Sequence, residues 1–170
     1  NEKAEIYYFQ SLDLSRKLVD LYNTPENNLN LGNAYFYLSE FYFLNNGVET
    51  EQSIMIFDEA FKIARNIVID MNTPEAYDFL STCIHSNAML KLFEGNYSEA
   101  LVFALESHSI TMKLYKDLGT NDCLNNVQIS LDSISLIYRE LGNLSEALTI
   151  GLEGLAVAKI LVEKLETPAS

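Results

Sequence analysis

The sequence predicts an all-α chain, a stack of antiparallel helix pairs built on a repeat of about 47 residues, and three observations predict it. The segment Gly95-Asn96-Tyr97-Ser98-Glu99-Ala100-Leu101 returns as Gly142-Asn143-Leu144-Ser145-Glu146-Ala147-Leu148. Such a recurrence at long fixed spacing is the mark of a repeat array, whose units each touch only their neighbours. Apolar residues then recur every three or four positions, as in Leu124, Val127, Leu131, Ile134 and Tyr138, and again in Leu148, Leu152, Leu155 and Leu161, the spacing of one helix face. Finally, all three prolines stand in one column of the repeat, in Thr24-Pro25, Thr73-Pro74 and Thr167-Pro168. Strand-like alternation is sustained nowhere.

Aligned on these columns, the chain resolves into about seven helices of a single array spanning 1–170. The first, about 2–22, is the second helix of a truncated repeat (1–24); Ala4, Leu14, Leu18 and Tyr22 hold its columns. Thr24-Pro25-Glu26 opens the next at about 26–44, since threonine suits an N-cap and proline the first helical position. The third, about 50–71, places Ile54, Ile63, Ile67 and Met71 under Leu101, Ile110, Leu114 and Leu118 and completes repeat 25–72. Two extra residues in that repeat fall between Asn45 and Thr50. Thr73-Pro74-Glu75 starts the fourth helix (about 75–93), and with the fifth (about 97–118) it makes repeat 73–119. The sixth and seventh, about 122–140 and 144–165, make repeat 120–167. Asn96 and Asn143 stand where they can cap second helices, with Glu99 and Glu146 three residues on in capping-box positions. Gly95 and Gly142 take the turns, where positive φ is favoured.

Charge and composition exclude several function classes. Lys+Arg 11 against Asp+Glu 24 give a net charge of −13, which opposes phosphate backbones and anionic lipid surfaces, so neither nucleic acid nor membrane is expected as a partner. A basic face would be attracted. Cys83 and Cys123 lie far apart, without metal-type spacing, the usage of a reducing cytosol, so a cytoplasmic location is expected. No apolar run approaches the roughly 18 residues that span a bilayer. A start at Asn1 and a Thr167-Pro168 pair where another helix is due lead to the expectation of a fragment of a longer protein.

The columns formed by Leu131, Ile134, Ser135, Tyr138, Leu141-Gly142, Leu144 and Ala147, and by Ile84, Ala88, Gly95, Tyr97 and Ala100, resemble the tetratricopeptide repeat in a lengthened form. The period exceeds that family's usual length of about 34 residues, and the long version is similar to arrays in kinesin light chains and bacterial signalling proteins. Repeat 26–71 departs from the pattern, carrying Ser39, Asn45-Asn46-Gly47 and Ser53 in the signature columns. The resemblance implies a right-handed superhelix of stacked helix pairs, a tetratricopeptide-like solenoid. It also implies a protein- or peptide-binding scaffold, not an enzyme, with a concave groove walled by the first helix of each pair.

Carried over by column, that wall takes Asn33, Phe36, Glu40, Phe43 and Leu44 from the second helix. The fourth supplies Thr82, His85, Met89, Leu92 and Phe93, and the sixth Ile129, Asp132, Leu136, Arg139 and Glu140. The result is a greasy strip with acidic flanks, suited to a basic or amphipathic peptide. Two questions stay open at this level. Polar Asn87, Lys91 and Glu94 fall in expected core columns, so Leu92 and Phe93 face either groove or core. Phe36 and Phe43 face the same choice.

Chemistry is sparse. His85 and His108 are the only histidines; Cys83 and His85 are two apart on a helix and point to different faces. No third or fourth metal ligand stands at zinc spacing, and no glycine loop cradles phosphate. Neither cofactor nor metal is expected. His108 shares a column with Leu12, Phe61 and Leu155, which predicts a packing role. The expected function is a non-catalytic interaction scaffold. The rivals are a ligand- or peptide-responsive regulatory domain controlling an attached effector, and an oligomerisation element that self-associates through exposed ends, where Leu155, Val157, Leu161 and Leu165, or the Tyr7-Tyr8-Phe9 cluster, lie bare.

Overall fold

The computed structural model describes residues 2–46 and 51–166. They form seven helices and, among the described residues, no strand: α1 (Glu2–Leu21), α2 (Pro25–Asn46), α3 (Glu51–Met71), α4 (Pro74–Phe93), α5 (Tyr97–Leu118), α6 (Asn121–Glu140) and α7 (Leu144–Glu166). Every expected helix is present, and no end differs from its expected position by more than two residues. Thr167-Pro168, the side chain of Leu165 and most of the longer turn at Asn45 to Thr50 lie outside the described residues.

The recurring heptapeptide begins inside a helix stop. Gly95 has φ +78 and Gly142 φ +79. At the first, Gly95 N–H donates to Leu92 O at 3.1 Å and Asn96 N–H to Lys91 O at 2.8 Å; at the second, Gly142 N–H donates to Arg139 O and Asn143 N–H to Tyr138 O. This paired pattern satisfies carbonyls that a helix end leaves orphaned. Gly119 ends α5 in the same left-handed conformation, with a single bond to Tyr115 O.

The helix starts follow expectation less closely. Thr24 Oγ1 accepts from Asn27 N–H at 3.3 Å, and Thr120 Oγ1 from Cys123 N–H at 3.2 Å. Thr73 does not cap: its hydroxyl is buried without a hydrogen-bond partner, although its carbonyl accepts from Tyr77 N–H. Nor does Asn96 cap α5 with its side chain. Its amide instead donates to Glu94 Oε2 at 2.9 Å, and Glu99 lies 3.9 Å from Lys91 Nζ, so that capping box is not made.

Two compact units can be distinguished, Asn1–Cys83 and Ile84–Ser170. In the first, α2 packs against both α1 and α3. Its core joins Leu12 to Ala34, Leu38 and Tyr42, flanked by Tyr8, Leu31, Tyr35, Phe41 and Ile56. Tyr42 is buried, and its hydroxyl donates to Glu5 Oε1 at 2.9 Å, which satisfies a group that burial would otherwise leave costly. Gly32 lets the helices close up: a Cβ there would fall 2.6 Å from the Phe79 ring and 2.9 Å from Ile63 Cγ2.

In the second unit α6 packs against both α5 and α7. Ala88, Leu92, Ala100, Ala104, Ile134 and Ile137 form the core. Fully burying a side chain such as Ile134 or Ile137 stabilises by about 1.5–3 kcal/mol. Small residues set the α6–α7 approach. Ser135 Oγ donates to Ala147 O at 2.7 Å, and a Cβ on Gly151 would sit 3.2 Å from Ser135 Oγ.

Candidate partner-binding wall and cleft

In the first unit, α2 presents only part of its expected wall. Phe36 is 5% exposed, with ring centroids 6.3 Å from both Phe57 and Phe79. It is a core residue, correcting its placement in the groove. Phe43 is half-buried, and Glu40 and Leu44 are exposed. Although Glu40 reaches solvent, surrounding protein desolvates its carboxyl enough to raise its pKa above the usual value.

On α4 the two undecided residues part company. Leu92 is 8% exposed and belongs to the core cluster, whereas Phe93 is 58% exposed. Leu92 is therefore withdrawn from the groove. The reason lies in Lys91 and Glu94, which stay on the surface and pair at 2.8 Å. With Ala88 and Leu92 filling the core, the polar residues of α4 need no burial. Met89 is half-buried against that same cluster, as is Leu136 of α6. His85 is half-buried too, and burial lowers its pKa, favouring the neutral ring.

Three expected residues of α6 come together in one place. Asp132, Leu136 and Arg139, with Ser135, line an open cleft of about 610 Å³ whose other side is α7, through Leu144, Ala147, Leu148, Gly151 and Leu152. Asp132 accepts from Gln128 Nε2. Arg139 is bound through Nε and Nη2 to Glu140 Oε1 at 3.1 and 2.9 Å. Leu144 is 67% exposed, Leu148 65% and Leu152 56%. These α7 residues were missed as site residues. Their spacing marks one apolar helix face, and periodicity alone does not say whether such a face meets core or cleft.

Burial, aided by the Glu40 charge, pushes the Cys83 thiol up to about 12, far from the thiolate that reacts. Among the described residues no group of three or more His, Cys, Asp or Glu could hold a metal, and no helix is long and apolar enough to cross a membrane. His108 does pack, as its column predicts. The Ser130 hydroxyl donates to Val127 O at 2.7 Å, so it receives the His108 Nδ1–H at 2.8 Å. Burial lowers the His108 pKa, against a smaller opposing pull from Glu153.

No protein-family model and no curated protein sequence matches the chain. Among solved structures it is similar to two described as crystal structures of MamA. One has a TM-score of 0.40 at 14% identity, over 95% of this chain and 95% of that one; the other has a TM-score of 0.26 at 14% identity, over 100% and 98%. Likeness at that level carries no functional argument. The class that the geometry defines is an all-helical chain whose successive helices pack against one another.

Proposed function

We propose that the chain is a lengthened array of the tetratricopeptide type and serves as a non-catalytic scaffold that holds a segment of a partner protein. The single observation that supports this best is the cleft of α6 and α7. There a half-buried leucine, a carboxylate and a guanidinium from the expected wall face an exposed apolar ridge. Apolar surface of that kind rimmed by charge is the common form of a protein-docking site. A net charge of −13 favours a partner segment carrying lysine or arginine, mainly by speeding encounter.

A peptide array probed with the intact chain, spanning basic, neutral and acidic segments, tests the reading. Basic amphipathic segments are expected to bind, Asp132→Asn is expected to weaken them, and Arg139→Glu is expected to tighten them. Absence of any saturable binding, or affinities indifferent to both substitutions in a folded chain, would overturn it.

A further inference from the structure

Packing alone does not ask for a carboxylate at position 40. The same repeat column holds Met89 in α4 and Leu136 in α6, both half-buried against apolar residues. In the first unit it holds Glu40, exposed on α2. Among the described residues no hydrogen bond or ion pair reaches that carboxylate, and desolvation alone raises its pKa. Arg16, Lys17 and Arg65 of the same unit are engaged elsewhere, with Tyr35, Asp13 and Phe61. A carboxylate that has lost water and gained no cation is an unmet cost, which an incoming cation recovers.

Its surroundings select the cation. Helical spacing puts Phe36 and Tyr37 one turn before Glu40, and Phe43 and Leu44 one turn after. Phe36 is buried and Phe43 half-buried, which thins the water on that side, whereas Tyr37 is 53% exposed. The Tyr37 ring meets Phe36 edge to face with centroids 5.8 Å apart, so a buried neighbour steadies it. An exposed, steadied ring beside a partly desolvated carboxylate suits arginine better than lysine. The guanidinium is flat, stacks on aromatic faces, forks onto a carboxylate and is more weakly hydrated than an ammonium. The unit already uses such pairings: Arg16 Cζ lies 5.1 Å from the Tyr35 ring centroid, and Arg65 Cζ 4.9 Å from that of Phe61.

We infer that Glu40 and the Tyr37 ring form an arginine-binding site, which takes the guanidinium of an arginine on a partner segment, forked onto the carboxylate and flat against the ring. The site is built entirely within the first unit. It rests on the scaffold reading above only in drawing its cation from a partner protein.

The probe is a short serine–glycine peptide carrying one arginine, compared with the same peptide carrying lysine or citrulline, the neutral isostere of arginine. Each is titrated into the full chain labelled with ¹³C at the glutamate carboxyls and followed by NMR. The arginine peptide is expected to move the Glu40 resonance saturably and to lower the pH at which it titrates, because a nearby cation favours the charged form. Lysine is expected to bind about threefold more weakly, Tyr37→Ala to cost about the same factor, and citrulline not to bind. Glu26→Gln, in the first turn of α2, is expected to change nothing. Equal affinity for arginine and lysine, binding of citrulline, an unmoved Glu40 midpoint, or Glu26 and Glu40 responding alike would each overturn the inference. If Glu40 fails to respond while array-selected segments still weaken with Asp132→Asn, the arginine site falls and the scaffold reading stands. An array without binders beside a saturable Glu40 response removes the cleft and keeps the arginine site.

Discussion

Leu148 of α7 occupies the column of Leu101 of α5, and the two differ in burial: Leu101 is half-buried against the core cluster that α4, α5 and α6 share, while Leu148 is 65% exposed. The same side chain on the same repeat position therefore has two different energetic roles. Leu101→Ala is expected to cost about 1–2 kcal/mol, below the range for fully buried leucines. Leu148→Ala is expected to stay within about 0.5 kcal/mol. Urea denaturation of the two variants checks the contrast, and equal losses would mean that the ridge is covered in the folded chain.

Phe36 and Phe93 make a second contrasting pair. Phe36 packs between Phe57 and Phe79, so Phe36→Ala is expected to destabilise by about 3–5 kcal/mol. Phe93→Ala, on an exposed ring, is expected to cost less than about 1 kcal/mol. Thermal or urea midpoints separate the two outcomes readily.

The helix stops set a third expectation. Gly142 has φ +79 with nothing near an added Cβ, so Gly142→Ala carries only the conformational cost of a left-handed residue, about 1–2 kcal/mol. Gly142→Asn is expected to recover part of it, because asparagine tolerates that conformation. Gly32→Ala fails for the other reason, collision with the Phe79 ring, and asparagine offers no rescue there. Comparing alanine with asparagine at both positions by urea unfolding checks the distinction.

The pH dependence follows from three groups. Burial lowers the folded pKa of His85 and of His108. Below the unfolded value of about 6.5 the unfolded chain then binds more protons, so the stability present above that pH is lost progressively as pH falls toward the folded values. Glu40 has the opposite sign. Its raised folded pKa means the folded carboxyl protonates first, so its charge is a cost at neutral pH that disappears in acid. Urea midpoints across pH 4.5–7.5 are expected to fall on acidification, less steeply in His108→Gln, while Glu40→Gln gains at neutral pH and not at the acid end.

Local chemistry made most of the fold legible in the sequence. Glycine at a left-handed stop and proline at a first helical position mark helix ends by their own backbone limits, and both recur with the repeat. The site was harder for a physical reason visible in α2. Leu31, Tyr35, Phe36, Tyr37, Leu38, Phe41, Tyr42, Phe43 and Leu44 put apolar or aromatic groups on nearly every face of that helix. Periodicity therefore cannot say which face is core, and the family columns that place Phe36 in the wall do not decide between groove and core. In α4 the pair Leu92 and Phe93 poses the same problem between adjacent residues, and only the surface pairing of Lys91 with Glu94 decides it. On α6, where serines, Asp132 and Arg139 break the apolar face, three of the five expected wall residues, Asp132, Leu136 and Arg139, line one cleft, and Ile129 and Glu140 do not. The Thr73 and Asn96 caps failed because a capping residue type leaves its side-chain rotamer and its neighbours' demands undetermined.

The most direct measurement of the docking claim uses the methionine methyls. The chain has four methionines, and of these Met89 alone belongs to the expected wall, packed with Leu136 against one core cluster. With ¹³C-methyl methionine and leucine labels, a saturating basic segment selected on the array is expected to shift Met89, Leu136 and Leu148 and to leave Met55 and Leu18 in place. Shifts confined to Met55 or the α1 leucines, with Met89, Leu136 and Leu148 unmoved, would contradict it.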